Sequence, residues 1–368
     1  MDMIWHLIIT VLAGTAGGLL MKRLNVPGGL LLGSMLGGAL LNIGFGAAYM
    51  PSGTKVPVQI VAGAFIGCSM EKSDVLRLPK IIHPAAIMLF FLLVLNLGAG
   101  FLIWLVSPLD LLTSLMSVVP GGISDTPIIA ADMGADGPKV AVMQLIRQIL
   151  GIGVFPYLIY LWDRRRQRKE RNGSAAGGKD GGRADKSNDK ANKEKRVKSQ
   201  TKSPGAFAVT IGVAVLSGII GRMSGLPSGT FLFAILSVLV LKLVFDFAYI
   251  PKWAKKGAQV LSGCYLGSSV GLSDITELRY LILPVVIIIA GYMLNCFFTG
   301  KLISRTCGFS EKEGMLITTP AGASDMALIS ADLGVENTDV IILQVVRAVV
   351  VMTVFPQIIS LVVMIAQG

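Results

Sequence analysis

Histidine is nearly absent. The chain has 368 residues and only His6 and His83. Its four cysteines (Cys68, Cys264, Cys296, Cys307) form no CxxC pair, and none adjoins a histidine. A disulfide framework and a Cys/His metal site are therefore not expected, and no metal or other cofactor is assigned. Basic charge is scarce everywhere but in one place. Residues 163–203 hold 15 Lys/Arg against 6 Asp/Glu, nine of the chain's net +11. That segment has no aromatic residue, is rich in Gly, Ser, Asn, Asp and Lys, and is expected to be disordered. A nucleic acid could use such a tract. Between two oily halves it reads instead as a cytoplasmic topology anchor, so no nucleic-acid partner is expected.

Hydrophobic residues make up 53% of the sequence, and the mean hydropathy is +0.70. Apolar runs near the ~20-residue spanning length follow one another. The first, Ile4 to Met21, has no basic start and no small-residue cleavage site. It reads as a first helix, not a removed signal peptide. The expected class is an all-α polytopic membrane protein, with the lipid bilayer as its first partner. It divides into membrane repeat 1 at 1–162, the basic linker at 163–203 and membrane repeat 2 at 204–368.

The halves are copies. Between 120–159 and 320–359, 15 of 40 positions are identical without a gap, and the shared set includes charged residues, which apolar composition alone would not repeat. It contains Ser124/Ser324, Asp125/Asp325, Asp132/Asp332, Gln144/Gln344 and Arg147/Arg347. The offset of 200 also relates Pro27, Gly29, Pro51, Gly63, Gly67, Ser73, Asp74 and Pro84 to Pro227, Gly229, Pro251, Gly263, Gly267, Ser273, Asp274 and Pro284. Basic residues follow the first and third apolar segments of repeat 1 (Lys22, Arg23; Lys72, Arg77, Lys80). In repeat 2 they follow the second and fourth (Lys252, Lys255, Lys256; Lys301, Arg305, Lys312), with Lys55 and Arg222 as single exceptions. With basic loops inside, this swap predicts inverted repeats of about five transmembrane helices each. It requires 110–135 and 314–335 to be broken, re-entrant helices. Six crossings per half would give parallel copies, against the swapped charges.

The breaks fall at Pro120-Gly121-Gly122 and Pro320-Ala321-Gly322. Proline cannot continue the amide ladder, and unwound backbone at membrane depth must be shielded by protein or line a wet cavity. Ser124-Asp125 and Ser324-Asp325 then open a second half-helix, where free amides can hold an anion or the side chains can simply cap. Asp132 and Asp332 lie seven residues on, on roughly the same face. A charge near mid-bilayer costs at least about 2.5 kcal/mol unless paired or hydrated. Gln144 and Arg147, like Gln344 and Arg347, are three apart and share a face. Two readings stay open: static pairing of Arg147 with Asp125 or Asp132 (and Arg347 with Asp325 or Asp332), or arginines that bind an anionic solute while aspartates exchange H⁺ or Na⁺. Val154-Phe155-Pro156 and Val354-Phe355-Pro356 read as kinks. Asn96 and Asn295 read as inter-helix hydrogen bonders.

Pro-Gly-Gly-Ile-Ser-Asp-Thr-Pro-Ile-Ile-Ala-Ala-Asp-Met-Gly and its counterpart Pro-Ala-Gly-Ala-Ser-Asp-Met-Ala-Leu-Ile-Ser-Ala-Asp-Leu-Gly resemble the AbrB family of bacterial membrane proteins. That family is defined by a duplicated domain of this kind, and the Gln-x-x-Arg and Val-Phe-Pro elements add to the match. The resemblance covers both halves and not the linker. It implies a multi-pass protein of the bacterial cytoplasmic membrane. Family members carry labels as ammonia monooxygenases or as regulators of gene expression. Monooxygenase chemistry needs iron or copper held by histidines and carboxylates. Two histidines outside the repeated motif argue against it, so an enzyme is not expected. The expectation from repetition and chemistry is a secondary transporter of a small, anionic solute coupled to H⁺ or Na⁺, with a membrane sensor or regulator as the alternative. Either is compatible with an oligomer.

Overall fold

The computed structural model describes residues 2–24, 28–70, 72–155, 157–159, 161, 204–321, 326, 330, 335 and 337–367. The linker, and with it the expectation of disorder, lies outside these. Repeat 1 comprises α1 (Asp2–Arg23), α2 (Gly29–Phe45), α3 (Lys55–Gly67), α4 (Lys72–Val106), α5 (Leu111–Val118), α6 (Thr126–Met133) and α7 (Gly137–Ile149), which runs on into a π-helical turn at Leu150–Val154. Repeat 2 comprises α8 (Pro204–Met223), α9 (Gly229–Phe245), α10 (Lys252–Ser268), α11 (Leu272–Glu277), α12 (Ile282–Cys307), α13 (Glu311–Thr318) and α14 (Thr338–Gln367). The described residues are an all-α polytopic assembly. Five segments are long and apolar enough to cross a bilayer: Met3–Arg23, Pro79–Val106, Gly205–Met223, Arg279–Cys307 and Thr338–Ala366. The second apolar run is shorter than its composition suggests. It reads as 28–49 but stops at Phe45, because Gly46 turns left-handed at φ 61° and closes α2 on the Asn42 carbonyl.

The two copies are inverted. α4 and α12 occupy equivalent places, yet they pack head to tail. His83 Nδ1 lies 3.3 Å from Cys307 Sγ. The Phe91 and Phe298 rings meet at 5.5 Å, and Gly291 faces Leu95 and Ala99. As one number rises the other falls, so equivalent helices point in opposite directions.

The copies are also interleaved. The third helix of each half lies along the second helix of the other: Gly63 and Gly67 of α3 abut the backbone of Phe231 and Ile235, while Gly263 and Gly267 of α10 abut that of Leu31 and Met35. The GxxxG spacing thus joins one half to the other by close backbone approach. Matching staples recur in each half, with the Tyr49 amide donating to Thr10 Oγ1 at 2.9 Å and the Tyr249 amide to Thr210 Oγ1 at 3.0 Å. Asn96 does bridge helices, donating to the Leu115 carbonyl. Asn295 instead accepts from Thr299 one turn along its own helix.

Two ion pairs also join the halves: Arg77 to Asp339 at 3.3 Å and Lys139 to Glu277 at 2.6 Å. They occupy equivalent positions with the signs exchanged: Arg77 answers Glu277, and Lys139 answers Asp339. Because α4 and α12 are antiparallel, the pairs lie at opposite ends of the molecule. The main apolar core runs between them around the broken helices, taking in Leu115, Met116, Val119 and Ile128 of one half and Leu316, Ile317 and Met352 of the other.

Candidate functional site

α5 and α6 have eight residues each, about 12 Å at 1.5 Å per residue and far short of a ~30 Å hydrocarbon core. Asp110 caps α5 by accepting the Thr113 amide at 2.8 Å. Twenty-odd residues later the Asp136 amide donates to Thr113 Oγ1 at 2.9 Å. The chain has returned to where α5 began, so 110–135 enters and leaves on one side as a re-entrant hairpin. α7 then runs alongside α5 in the same direction.

That register carries Gln144 and Arg147 to the break. A helix ends with unpaired carbonyls and a negative dipole end, and no water reaches them inside a membrane. Gln144 Nε2 donates to the carbonyls of Met116, Ser117 and Val119 at 3.4, 3.3 and 3.0 Å. Arg147 Nη2 donates to the Gly121 carbonyl at 2.5 Å. Repeat 2 does the same. Gln344 donates to Leu316 and Ile317 at 2.8 and 2.9 Å. Arg347 reaches the Thr319 carbonyl at 2.7 Å with Nη1 and the Ala321 carbonyl with Nη2.

The arginines are therefore held by backbone. Arg147 pairs with neither Asp125 nor Asp132, so on that side the static ion-pair reading gives way to helix capping by a cation. Both guanidiniums are buried, 2% and 4% exposed, and each lies in the other's field. Each keeps an Nε–H without a partner among the described residues. Gly322, Ser324, Asp325 and Asp332 lie outside the described residues.

Each break packs against the helix that follows the other. Gly121 and Gly122 abut the Met352 methyl of α14, and Thr126 Oγ1 points to Met352 Sδ at 4.0 Å. Reciprocally, Gly151 abuts the Pro320 carbonyl. Tyr292 of α12 donates to the Val118 carbonyl at 2.7 Å, and its ring lies 6.0 Å from the Arg147 guanidinium. Pro120 and Pro320 are both buried at this crossing. The helix after the break bears the π-helical turn rather than a simple proline kink. Pro156 lies outside the described residues, while Pro356 is inside α14.

Asp125 stands at the N-cap of α6, but its side chain makes no capping bond. It is 8% exposed and makes no ion pair within 4 Å among the described residues, while the field of Lys255 of α10 reaches it. Next to it, Ser124 Oγ accepts from Gln259 Nε2 at 2.8 Å. Asp132 sits differently. Its side chain is 33% exposed at the far end of α6, 3.8 Å from Lys55 Nζ, which also donates to the Ala131 carbonyl at 3.2 Å. The two aspartates share a helix but face different lysines from different halves.

Lys55/Lys255 and Gln59/Gln259 were not expected in the site, although they repeat at the same offset of 200. Lys and Gln are four apart, on one face of α3 and of α10. Each lysine also lies against an aromatic ring of the opposite half: Lys55 over Tyr265 at 5.6 Å and Lys255 over Phe65 at 3.9 Å. Gln59 is fully enclosed, and its Nε2 has no partner among the described residues.

Arg347→Lys keeps the charge, but one ammonium cannot span the Thr319 and Ala321 carbonyls together. A loss of about 1.5–3 kcal/mol is expected, the worth of a charge-assisted hydrogen bond. Gln344→Leu should cost less, near the ~0.6 kcal/mol average for neutral bonds within membrane bundles. Thermal unfolding of the purified variants, ranked against each other, checks the order.

The sequence model of the family described as "Transition state regulatory protein AbrB" matches residues 1–163 and again residues 179–363. The chain belongs to the AbrB family. Two AbrB-family copies thus account for both interleaved halves. The chain is 22% identical over 306 residues to "Uncharacterized protein YhjN" of Bacillus subtilis (strain 168), covering 81% of this chain and 76% of that one. It is 27% identical over 147 residues to "Putative regulator AbrB" of Escherichia coli (strain K12), covering 40% of this chain and 41% of that one.

Proposed function

We propose that this AbrB-family protein is a secondary transporter of a small, anionic solute, driven by H⁺ or Na⁺, in the bacterial cytoplasmic membrane, and not an enzyme. The basic loops face the cytoplasm in this reading. The observation that carries it is Asp125: a buried carboxyl group at a helix break, uncapped, in the field of Lys255 and next to Ser124, which accepts from Gln259, both from the other half. A movement of the re-entrant hairpin against α10 changes its surroundings directly, which alternating access requires. Lys55, Lys255 and the N-terminal amides of α6 supply the pull for an anion. A second reading, a membrane regulator, draws on the family description and on the printed name of the E. coli relative.

Proteoliposomes carrying the full chain should accumulate a labelled solute from a mixed pool of carboxylates and phosphates, and should lose that uptake when the ion gradients are collapsed. Absence of gradient-dependent flux overturns the transporter reading. Removing residues 170–200 should leave the flux largely intact. A regulator that works through its linker would lose its output instead.

A further inference from the structure

We infer that Asp125 carries a proton and not a sodium ion, so that the driving ion of the proposed transporter is H⁺; this rests on the transport reading above.

At a broken membrane helix, sodium is held by unwound carbonyls and half-helix C-terminal ends. Here the carbonyls from Leu115 to Val119, with those of Gly121 and Gly122, are already engaged. The Leu115 carbonyl accepts from Asn96. Those of Met116, Ser117 and Val119 accept from Gln144, and that of Val118 accepts from Tyr292. The Gly121 carbonyl takes Arg147, and that of Gly122 takes the Asp125 and Thr126 amides. A carbonyl has a second lone pair, but at Gly121 a fixed guanidinium already occupies the place a metal cation would take, and it repels one. Among the described residues of the repeat-2 break, Gln344 and Arg347 take the Leu316, Thr319 and Ala321 carbonyls, and the Cys296, Thr318 and Thr319 side chains take that of Met315.

Of the two hydroxyls beside Asp125, one already accepts a hydrogen bond. Ser124 Oγ accepts from Gln259, and Thr126 Oγ1 is turned to Met352 Sδ. Lys255 is the cation whose field reaches Asp125. The titratable or charged groups at the break are Arg147 of α7, Tyr292 of α12 and Arg347 of α14, with Lys55 and Asp132 at the far end of α6. Lys139 of α7 with Asp136 and Glu277, and Asp339 of α14 with Arg77, are held in ion pairs near the starts of those helices. The charged groups at the break other than Asp125 are cations. Among the described residues, such surroundings offer Na⁺ the Asp125 carboxylate and few unengaged oxygens. A proton needs only one carboxylate oxygen. Burial, the larger effect, disfavours the charged form of Asp125, and Lys255 favours it. When the hairpin moves away from α10 and Lys255, burial acts alone, and the carboxylate takes up one H⁺ and becomes a neutral acid that can remain buried.

The test uses the purified full chain in lipid nanodiscs. Infrared difference spectra on lowering the pH should show a protonated-carboxyl band that disappears in Asp125→Asn, survives in Asp132→Asn, and is the same in sodium as in potassium. Sodium should raise the unfolding midpoint no more than potassium, since a bound ion stabilises by mass action and a spectator does not. A sodium-specific rise, radioactive sodium binding lost in Asp125→Asn, or a band that persists in Asp125→Asn overturns the inference. If Asp125→Asn fails to fold, Asp125→Glu must shift the band, and the sodium-against-potassium comparison on the native chain decides alone. Proton uptake at Asp125 without solute flux would sink the transporter reading and leave this one standing. Flux with sodium bound would do the reverse.

Discussion

Leucine at Gly263 or Gly267 is expected to leave no folded protein. A Cβ added at either position would overlap a backbone carbonyl oxygen, that of Leu31 or Met35, and backbone cannot step aside as a side chain can. Overpacking a core typically costs about 1–3 kcal/mol when side chains can yield. Here the whole of α10 would have to leave α2. Alanine at Gly263 should already cost about 3 kcal/mol, the upper end of that range. The equivalent contact in the other direction is looser: a Cβ would stand 2.9 Å from the Phe231 oxygen at Gly63 and 2.7 Å from the Ile235 oxygen at Gly67. Alanine at these two positions should be better tolerated than at 263 and 267. Gly98, inside α4 with nothing within 4 Å, is the control. Alanine there should be neutral or should stabilise by up to about 1 kcal/mol, since it lowers the entropy lost by a helical glycine. Yield and thermal unfolding of the two leucine and five alanine variants in detergent would establish the order.

Asp125→Asn should abolish gradient-driven uptake, by at least about 100-fold, where each factor of ten corresponds to about 1.4 kcal/mol. The substitution keeps the shape and removes both the charge that faces Lys255 and the group that exchanges the ion. Asp132→Asn should cost far less, about three- to tenfold, because it removes only a half-exposed ion pair with Lys55, and such pairs are worth about 0–1 kcal/mol. The contrast matters more than either value. Equal losses would mean that both aspartates serve one site, as their seven-residue spacing first suggests. Initial uptake rates in proteoliposomes, normalised to inserted protein, check it.

Much of this arrangement is legible in the residues alone. The offset of 200 gives the duplication, the exchanged loop charges give the inversion, and the Pro-Gly breaks mark where the membrane helices stop. The arginines were harder to place. A search for what Arg147 opposes looks for carboxylates, whereas its partner is the Gly121 carbonyl, and every residue has a carbonyl. Only the register of α7 along α5 singles that one out. Lys55 looked like an exception because a topology rule counts charges per loop. The repeat, which pairs it with Lys255, holds the better signal. Gly63-x-x-x-Gly67 announces a close approach without naming what approaches, and the answer, a helix more than 160 positions away, depends on how the halves interleave.

The exchanged ion pairs bear on how the molecule is made. During synthesis repeat 1 is complete before repeat 2 exists. Arg77 must then wait for Asp339, Lys139 for Glu277, and the small-residue faces of α2 and α3 for α10 and α9. The Gly121 break likewise stays uncovered until Met352 is translated. The nascent first half therefore enters the bilayer as an open clasp, with neither its charges nor its seams closed, and the break is covered only once α14 has been translated.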